Sequence, residues 1–275
     1  MPLRFQKYHA LGNDYLVLDP VEGDAPAAGL VETICHRNYG LGGDGILFGP
    51  LPSESADFGL RIFNPDGGEA EKSGNGLRIF CRFLHDRGEV GGDAFSIETA
   101  GGVVTARVDD PADRIEVGMG RVSFDSRDIP VEGDPREVLR ERIEVGGEKI
   151  EFSAATIGNP HCVVLRDEAT EAEARRLGPL LERDPRFPNR TNVQFLRIVD
   201  RKTIRIEIWE RGAGYTLASG SSASASAAVA RRLDLVDEDV AVVMPGGTLA
   251  IRVADDFAVR MTGPVTRVGE LTWDA

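Results

Sequence analysis

Two segments of this chain open in the same way, and that repetition limits its fold more than any other feature. One follows FNPDGGEAEKSGNG and the other follows WERGAGYTLASGSS. In each, an apolar strand ends, a glycine-rich loop turns, and a Ser-Gly pair, Ser73-Gly74 or Ser219-Gly220, leads into a helical segment. Residues 75–87 place Leu77, Phe80, Cys81 and Leu84 at i, i+3, i+4 and i+7, with Ile79 and Phe83 added. A helix apolar on most sides has to be buried on most sides. Residues 221–233 are built from Ala and Ser around Val229, small enough to be packed closely all round. Two buried helices with matching prefaces imply two similar halves.

The remaining pattern is rich in strands. Period-2 alternation predicts strands over residues 3–8, 15–19, 46–48, 60–64, 95–99, 103–108 and 114–118, and a hairpin at IEVGGEKIEF with Gly146-Gly147 in its turn. Further strands are expected over 162–165, 193–199, 203–210, 240–244, 248–253 and 257–262. A third, charged helix is expected over 168–177, stopped by Gly178-Pro179. The apolar pattern lapses near 119–135. The expectation is therefore an α+β chain with an N-terminal lobe over 1–119, to which 265–275 returns, and a C-terminal lobe over 120–264.

Composition excludes several classes of function. The net charge of -13 repels a phosphate backbone, so no nucleic-acid partner is expected. The N-terminal MPLRFQKYHALGNDY holds no apolar run suited to a signal peptide or a membrane span, which points to the cytoplasm. Cys35, Cys81 and Cys162 are odd in number and lack CxxC spacing, which argues against a disulfide framework or a zinc site. His36 and His161 each adjoin a cysteine, but neighbouring side chains rarely ligate one metal, and no metal is expected.

The polar groups at the ends of apolar elements carry the chemistry. A buried helix exposes unpaired N–H groups and a positive dipole end at its start, and Gly74 and Gly220 let a ligand approach that backbone. Ser73 and Ser219 also suit ordinary N-caps. Asn64, Asn159, Asn192 and the Glu210-Arg211 pair stand at other such ends. Arg can grip a carboxylate through two N–H bonds, Glu can accept from an ammonium, and Asn can do either. Together they describe the head of an amino acid. Neither loop carries GxxxxGK[ST] or a dinucleotide fingerprint.

At this point HALGNDYLVLD, FNPDGGEAEKSGNGLRIFCRFL, IGNPHCVVL, TNVQFLRIVDRKTIRIEIWERGAG and TLASGSSASASAAVA together resemble the diaminopimelate epimerase family, in order and over nearly the whole chain. The resemblance implies two lobes of mixed β-sheet, each wrapped around a central helix, with the ligand in a cleft between them. It implies an isomerase that moves a Cα proton between two cysteine thiols without a cofactor, on LL- and meso-diaminopimelate or a related diamino acid. It also suggests a homodimer. Carried over by position, Gly74, Asn75, Gly220 and Ser221 would hold the reacting carboxylate. Asn13, Asn64, Asn159, Asn192, Glu210 and Arg211 would hold the distal amino-acid end.

Five positions depart from the pattern. Ser73 and Ser219 stand where the resemblance puts the catalytic thiols. Tyr215 replaces the second Glu of an ERGAGET loop. Gly45 stands where some members carry a polar side chain, and Ser224 replaces a frequent non-catalytic cysteine. Three readings stay open: a natural serine branch with Cα-proton chemistry, an amino-acid-binding protein that lost catalysis, or an epimerase whose thiols were replaced by design. A protein-interaction module would show an exposed apolar patch instead. A serine base needs help, and His161 and Tyr215 are the auxiliary groups the sequence offers.

Overall fold

The computed structural model describes residues 2–109 and 114–274. The chain divides into two compact units, Met1–Gly118 with Thr262–Ala275, and Met119–Met261.

In the first unit, Leu11 and Gly12, both at positive φ, turn β1 (Leu3–Ala10) into its antiparallel neighbour β2 (Asn13–Leu18). Parallel neighbours need a crossover, and α1 (Ala28–Cys35) supplies one, so β3 (Ile46–Leu51) lies parallel to β2. β4 (Phe58–Phe63) returns antiparallel, and the short β5 (Glu69–Ala70) folds back on it. The next crossover is α2 (Gly74–Asp86), which leaves β6 (Phe95–Thr99) parallel to β4. β7 (Gly102–Asp109) and β8 (Arg114–Arg121) follow as antiparallel neighbours. The strand Thr266–Trp273 pairs antiparallel with the free edge of β1.

The second unit repeats that order. β9 (Glu141–Val145) and β10 (Glu148–Thr156) form the hairpin expected around Gly146-Gly147, both at positive φ. β10 pairs antiparallel with β11 (Pro160–Leu165). After α3 (Glu171–Glu182), β12 (Asn192–Asp200) lies parallel to β11, and β13 (Thr203–Glu210) returns with the short β14 (Gly214–Thr216) folded on it. After α4 (Gly220–Arg232), β15 (Asp239–Met244) lies parallel to β13 and β16 (Gly247–Val253) antiparallel to β15, before β17 (Ala258–Gly263). The two units thus share one sequence of pairings, with α1 matching α3 and α2 matching α4.

Each sheet wraps its central helix. α2 packs on β1, β2, β3 and β7, strands from distant parts of the first sheet, and α4 packs on β10 to β13, β15 and β16. Leu77, Ile79, Phe80, Cys81, Phe83 and Leu84 of α2 are all buried. In α4 the buried set is Ala223, Ala225, Ala227, Ala228, Val229 and Ala230 with Ser222, Ser224 and Ser226. Small side chains let strands close in from every direction. A buried hydroxyl without a partner is costly; Ser222 and Ser224 have one, while Ser226 Oγ has none among the described residues. Ser222 Oγ accepts from Gln194 Nε2 at 3.0 Å, and Ser224 Oγ donates to the Gly220 carbonyl one turn back.

The structure corrects the third helix. α3 runs through Gly178-Pro179 to Glu182 instead of stopping before them. Thr170 caps its start, accepting from Glu173 N, and Ala174, Leu177 and Leu181 are buried along one face. That burial outweighs the hydrogen bond lost at Pro179. Gly178 is there for a close approach, because a Cβ would lie 2.5 Å from Trp209 Cγ.

An overpacked α4 tests this packing. Ala227→Leu should lower unfolding stability by about 1–3 kcal/mol, measured from urea midpoints. Ala172→Leu, exposed on α3, should stay within about 0.5 kcal/mol of the parent.

Candidate functional site

Topology gathers the polar residues of each unit at one edge of its sheet. β2 and β3 run parallel and β4 opposes them, so the start of β2, the start of β3 and the end of β4 share an edge. α2 begins there after β5. This edge carries Asn13, Asp44, Asn64 and Ser73. By the same argument in the second unit, the starts of β11 and β12 and the end of β13 bring together Asn159, Asn192, Glu210-Arg211 and Ser219.

In the first unit Ser73 is the N-cap of α2, extended at φ -138, ψ 116. Its Oγ accepts from Gly76 N at 3.0 Å and lies 3.2 Å from the Tyr15 hydroxyl. The first-turn N–H groups of Gly74 and Asn75 have no acceptor within the helix, and the dipole favours an anion at that point. The Asn75 side chain is fixed at both ends. Arg78, wholly buried, donates to its Oδ1 at 2.9 Å, and its Nδ2 donates to Asn13 Oδ1 at 3.0 Å. Asn13 Nδ2 in turn donates to Asp44 Oδ2 at 2.8 Å.

Behind Asn13 lies an ionic cluster. Asp14 is 2.9 Å from Lys7 Nζ and accepts twice from Arg37, which also reaches Asp44 at 2.7 Å. Burial pushes the Asp14 pKa up, but the bonds and charges of Arg37 and Lys7 outweigh it and hold the group at about 2. Asn64, half-buried, closes a turn through its backbone, with its N–H on the Gly68 carbonyl at 2.7 Å.

In the second unit Ser219 caps α4 with longer bonds. Its Oγ accepts from Ser222 N at 3.4 Å and lies 3.4 Å from Ser221 Oγ. Asn159 Nδ2 donates to Ser221 Oγ at 3.4 Å. Asn192 accepts from the Arg211 backbone N–H at 2.9 Å and donates to the Pro160 carbonyl at 3.0 Å, pinning the end of β13 to the start of β11. The Arg211 guanidinium is on the exposed side, donating to the Asn189 carbonyl at 2.9 Å. Glu210 is half-buried beside it.

Glu182 supports this turn from α3, and sequence reasoning did not find it. It is 3% exposed. It accepts from Trp209 Nε1 at 2.8 Å and Gly212 N at 3.1 Å, and pairs with Arg190 at 3.1 Å. The residues on either side of Glu210-Arg211 are therefore tied to one buried carboxylate. A sequence signal for it was absent, because Glu182 lay beyond the expected end of its helix.

The auxiliary groups bond to partners other than the two serine caps. His161 bonds Asn159 Oδ1 through Nε2 at 3.0 Å, and burial pushes its pKa down to about 3, so its ring is neutral at ordinary pH. Tyr215 donates to Glu207 Oε2 at 2.6 Å, with Arg175 over its ring, and burial with the Glu207 charge raises its pKa. Tyr15, which the sequence reading passed over, is the hydroxyl that meets Ser73. The thiols do not substitute: Cys35, Cys81 and Cys162 are buried and free, and burial pushes all three pKa values up, that of Cys35 to about 11. Among the described residues, no set of three or more His, Cys, Asp or Glu is placed to hold a metal, and no helix is long and apolar enough to cross a membrane.

Comparison with known proteins gives this arrangement a context. The profile of the diaminopimelate epimerase family matches residues 5–124 and 153–268. The chain is 58% identical over 273 residues to diaminopimelate epimerase 2 of Nostoc sp. strain PCC 7120, covering 98% of this chain and 96% of that protein. It is 40% identical over 281 residues to the diaminopimelate epimerase of Desulfitobacterium hafniense, covering 98% of each. The crystal structure of a hydroxyproline epimerase from Agrobacterium vitis shares the fold, with a TM-score of 0.72 at 17% identity over 99% of this chain and 91% of that one.

The buried imidazole makes a pH prediction. The unfolded chain gains a proton on His161 below about pH 6.5, while the folded chain resists it until about 3. Stability is therefore fully present above 6.5 and is lost as pH falls toward 3, by at most about 1.4 kcal/mol per pH unit from this group. Urea midpoints at pH 7, 6 and 5 should fall more steeply for the parent than for His161→Gln, which cannot titrate.

Proposed function

The chain belongs to the diaminopimelate epimerase family, and we propose that it interconverts LL- and meso-diaminopimelate, or a related diamino acid, by moving the Cα proton without a cofactor. It is an isomerase of the amino-acid epimerase class. The observation that carries the substrate reading is the repeated edge: each unit ends its glycine-rich loop in a serine-capped buried helix, and the second unit adds Glu210-Arg211. The identity to the Nostoc enzyme extends across the chain, not over one motif.

The residues divide by role. The N–H groups of Gly74 and Asn75 in one unit, and of Gly220 and Ser221 in the other, are the carboxylate-binding groups, where a helix dipole favours the negative charge that spreads as the proton leaves. Asn13, Asn64, Asn159, Asn192, Glu210 and Arg211 hold the distal amino-acid group. Ser73 and Ser219 carry the proton, each from its own unit. Serine makes this step difficult. A thiol near 8.5 ionises readily, and a hydroxyl roughly five units weaker makes its base about 10⁵-fold scarcer. We also place the protein in the cytoplasm as a homodimer, readings that rest on its free thiols and its family.

Hydrogen–deuterium exchange at Cα tests the chemistry. Diaminopimelate should lose its Cα proton signal slowly with the parent chain. The paired change Ser73→Cys with Ser219→Cys, under reducing conditions, should raise the exchange by about 10² or more. No exchange in either form, with binding retained, would assign the chain to amino-acid binding instead.

Calorimetry tests the distal group. Arg211→Ala leaves a ligand carboxylate unpaired and should weaken diaminopimelate binding by about 2–5 kcal/mol. Its side chain is exposed and bonds a single loop carbonyl, so thermal stability should hardly change.

A further inference from the structure

The two serines have different surroundings within their own units. Ser219 has Ser221 Oγ and Ser222 N as neighbours, both at 3.4 Å. Ser73 has Gly76 N at 3.0 Å and a phenol, that of Tyr15, at 3.2 Å. Tyr15 lies on β2 and is 6% exposed. Its ring sits in a fitted place. Gly45 has φ +155, and a Cβ there would lie 2.6 Å from Tyr15 Cε1 and 2.4 Å from the Phe63 carbonyl. The glycine at 45 thus leaves room for the Tyr15 ring, whose hydroxyl meets the serine.

We propose that Tyr15 is a positioning and proton-relay partner of Ser73, so that the two hydroxyls act as one base. This rests on the reading of Ser73 as a proton carrier. In the step, Ser73 Oγ takes the proton from the substrate Cα as the Ser73 hydroxyl proton passes to the phenolate of Tyr15. The Cα–H bond breaks, one O–H bond forms on Ser73, and its former proton ends on Tyr15. The electron pair stays on the substrate and spreads into its carboxylate. The reverse step restores every proton, and no further reactant is required.

The gain is in the supply of base. A phenol is a far stronger acid than a serine hydroxyl, so a base shared with Tyr15 is less scarce than an unaided serine alkoxide. The Gly76 N–H and the α2 dipole further favour charge on the Ser73 oxygen. Other ionisable groups stand on the elements around Tyr15: Lys7 and Tyr8 on β1, Asp14 beside it, Arg37 and Asp44 before β3, and Lys72, Arg78 and Cys81 around α2. Tyr8 is engaged with Asp86, and the cluster of Lys7, Asp14, Arg37 and Asp44 pairs within itself. Lys72, next to Ser73 in the chain, is the group a test must separate.

Two measurements on the full chain do so. Phenylmethanesulfonyl fluoride forms a sulfonyl ester with a serine oxygen and releases fluoride, and peptide mass spectrometry locates the label. Ser73 should react at a rate that rises with pH through a single ionisation, that of the phenol. Tyr15→Phe, which removes one oxygen, should slow that reaction at least about tenfold and flatten its pH profile. Lys72→Met should keep the profile. Equal labelling of parent and Tyr15→Phe, no labelling of Ser73, or a profile lost in Lys72→Met overturns the relay. Cα exchange on diaminopimelate is followed in the same variants, where Tyr15→Phe should lower kcat with KM held. Tyr15-dependent labelling without any exchange in the parent overturns the substrate reading and leaves the serine–tyrosine pair standing.

Discussion

A helix buried on every side still begins with N–H groups that its own turns cannot satisfy. That constraint organises both halves of this protein. A sheet wrapped around α2 or α4 shields the helix body and leaves the first turn at the sheet edge, where the glycine-rich loop arrives. The serine cap settles one donor, and the next donors face whatever binds there. The positive dipole end and the approach allowed by glycine are thus by-products of burying the helix, and the polar strand ends collect around them because the order of parallel and antiparallel neighbours leaves them no other edge.

The polar supports of the two units are built from different materials. In the first, a run of amides from Asn75 through Asn13 ends on Asp44 and the Arg37–Asp14–Lys7 cluster. In the second, a single buried carboxylate, Glu182, ties Trp209 and Gly212, and Asn192 joins two strands. Removing a partner of the buried members Asn75, Asp14, Glu182 or Asn192 leaves them unsatisfied, which costs more than the bond itself contributed. The orientation of the amides facing the edge is therefore determined by residues that no ligand need touch.

Much of this was legible in the sequence. The two buried helices announced themselves through an all-round apolar set in one and an all-small set in the other, and most strands through alternation. What escaped reading did so for physical reasons. α1 offers only Val31, Ile34 and Cys35 as buried positions, and Ala27 gives it no side-chain cap. β5 and β14 are too short to show a period. Gly178-Pro179 reads as a stop, yet the burial of Leu177 and Leu181 carries α3 past it. Around the candidate site, the polar ends of strands could be picked out singly, but which hydroxyl meets Ser73 depends on the register of β2 against its neighbours, and local sequence does not contain that.

The return of Thr266–Trp273 to β1 has a consequence for how the chain is made. Residues 119–261 form a unit from one continuous stretch of chain, while the other unit is built from two stretches, 1–118 and 262–275, and takes its edge strand from the later one. During vectorial synthesis the continuous unit can close on its own as soon as it leaves the ribosome. The first unit waits, with the outer ladder of β1 unpaired and open to any passing strand. The hazard of wrong association falls on β1, and it ends when the final strand emerges.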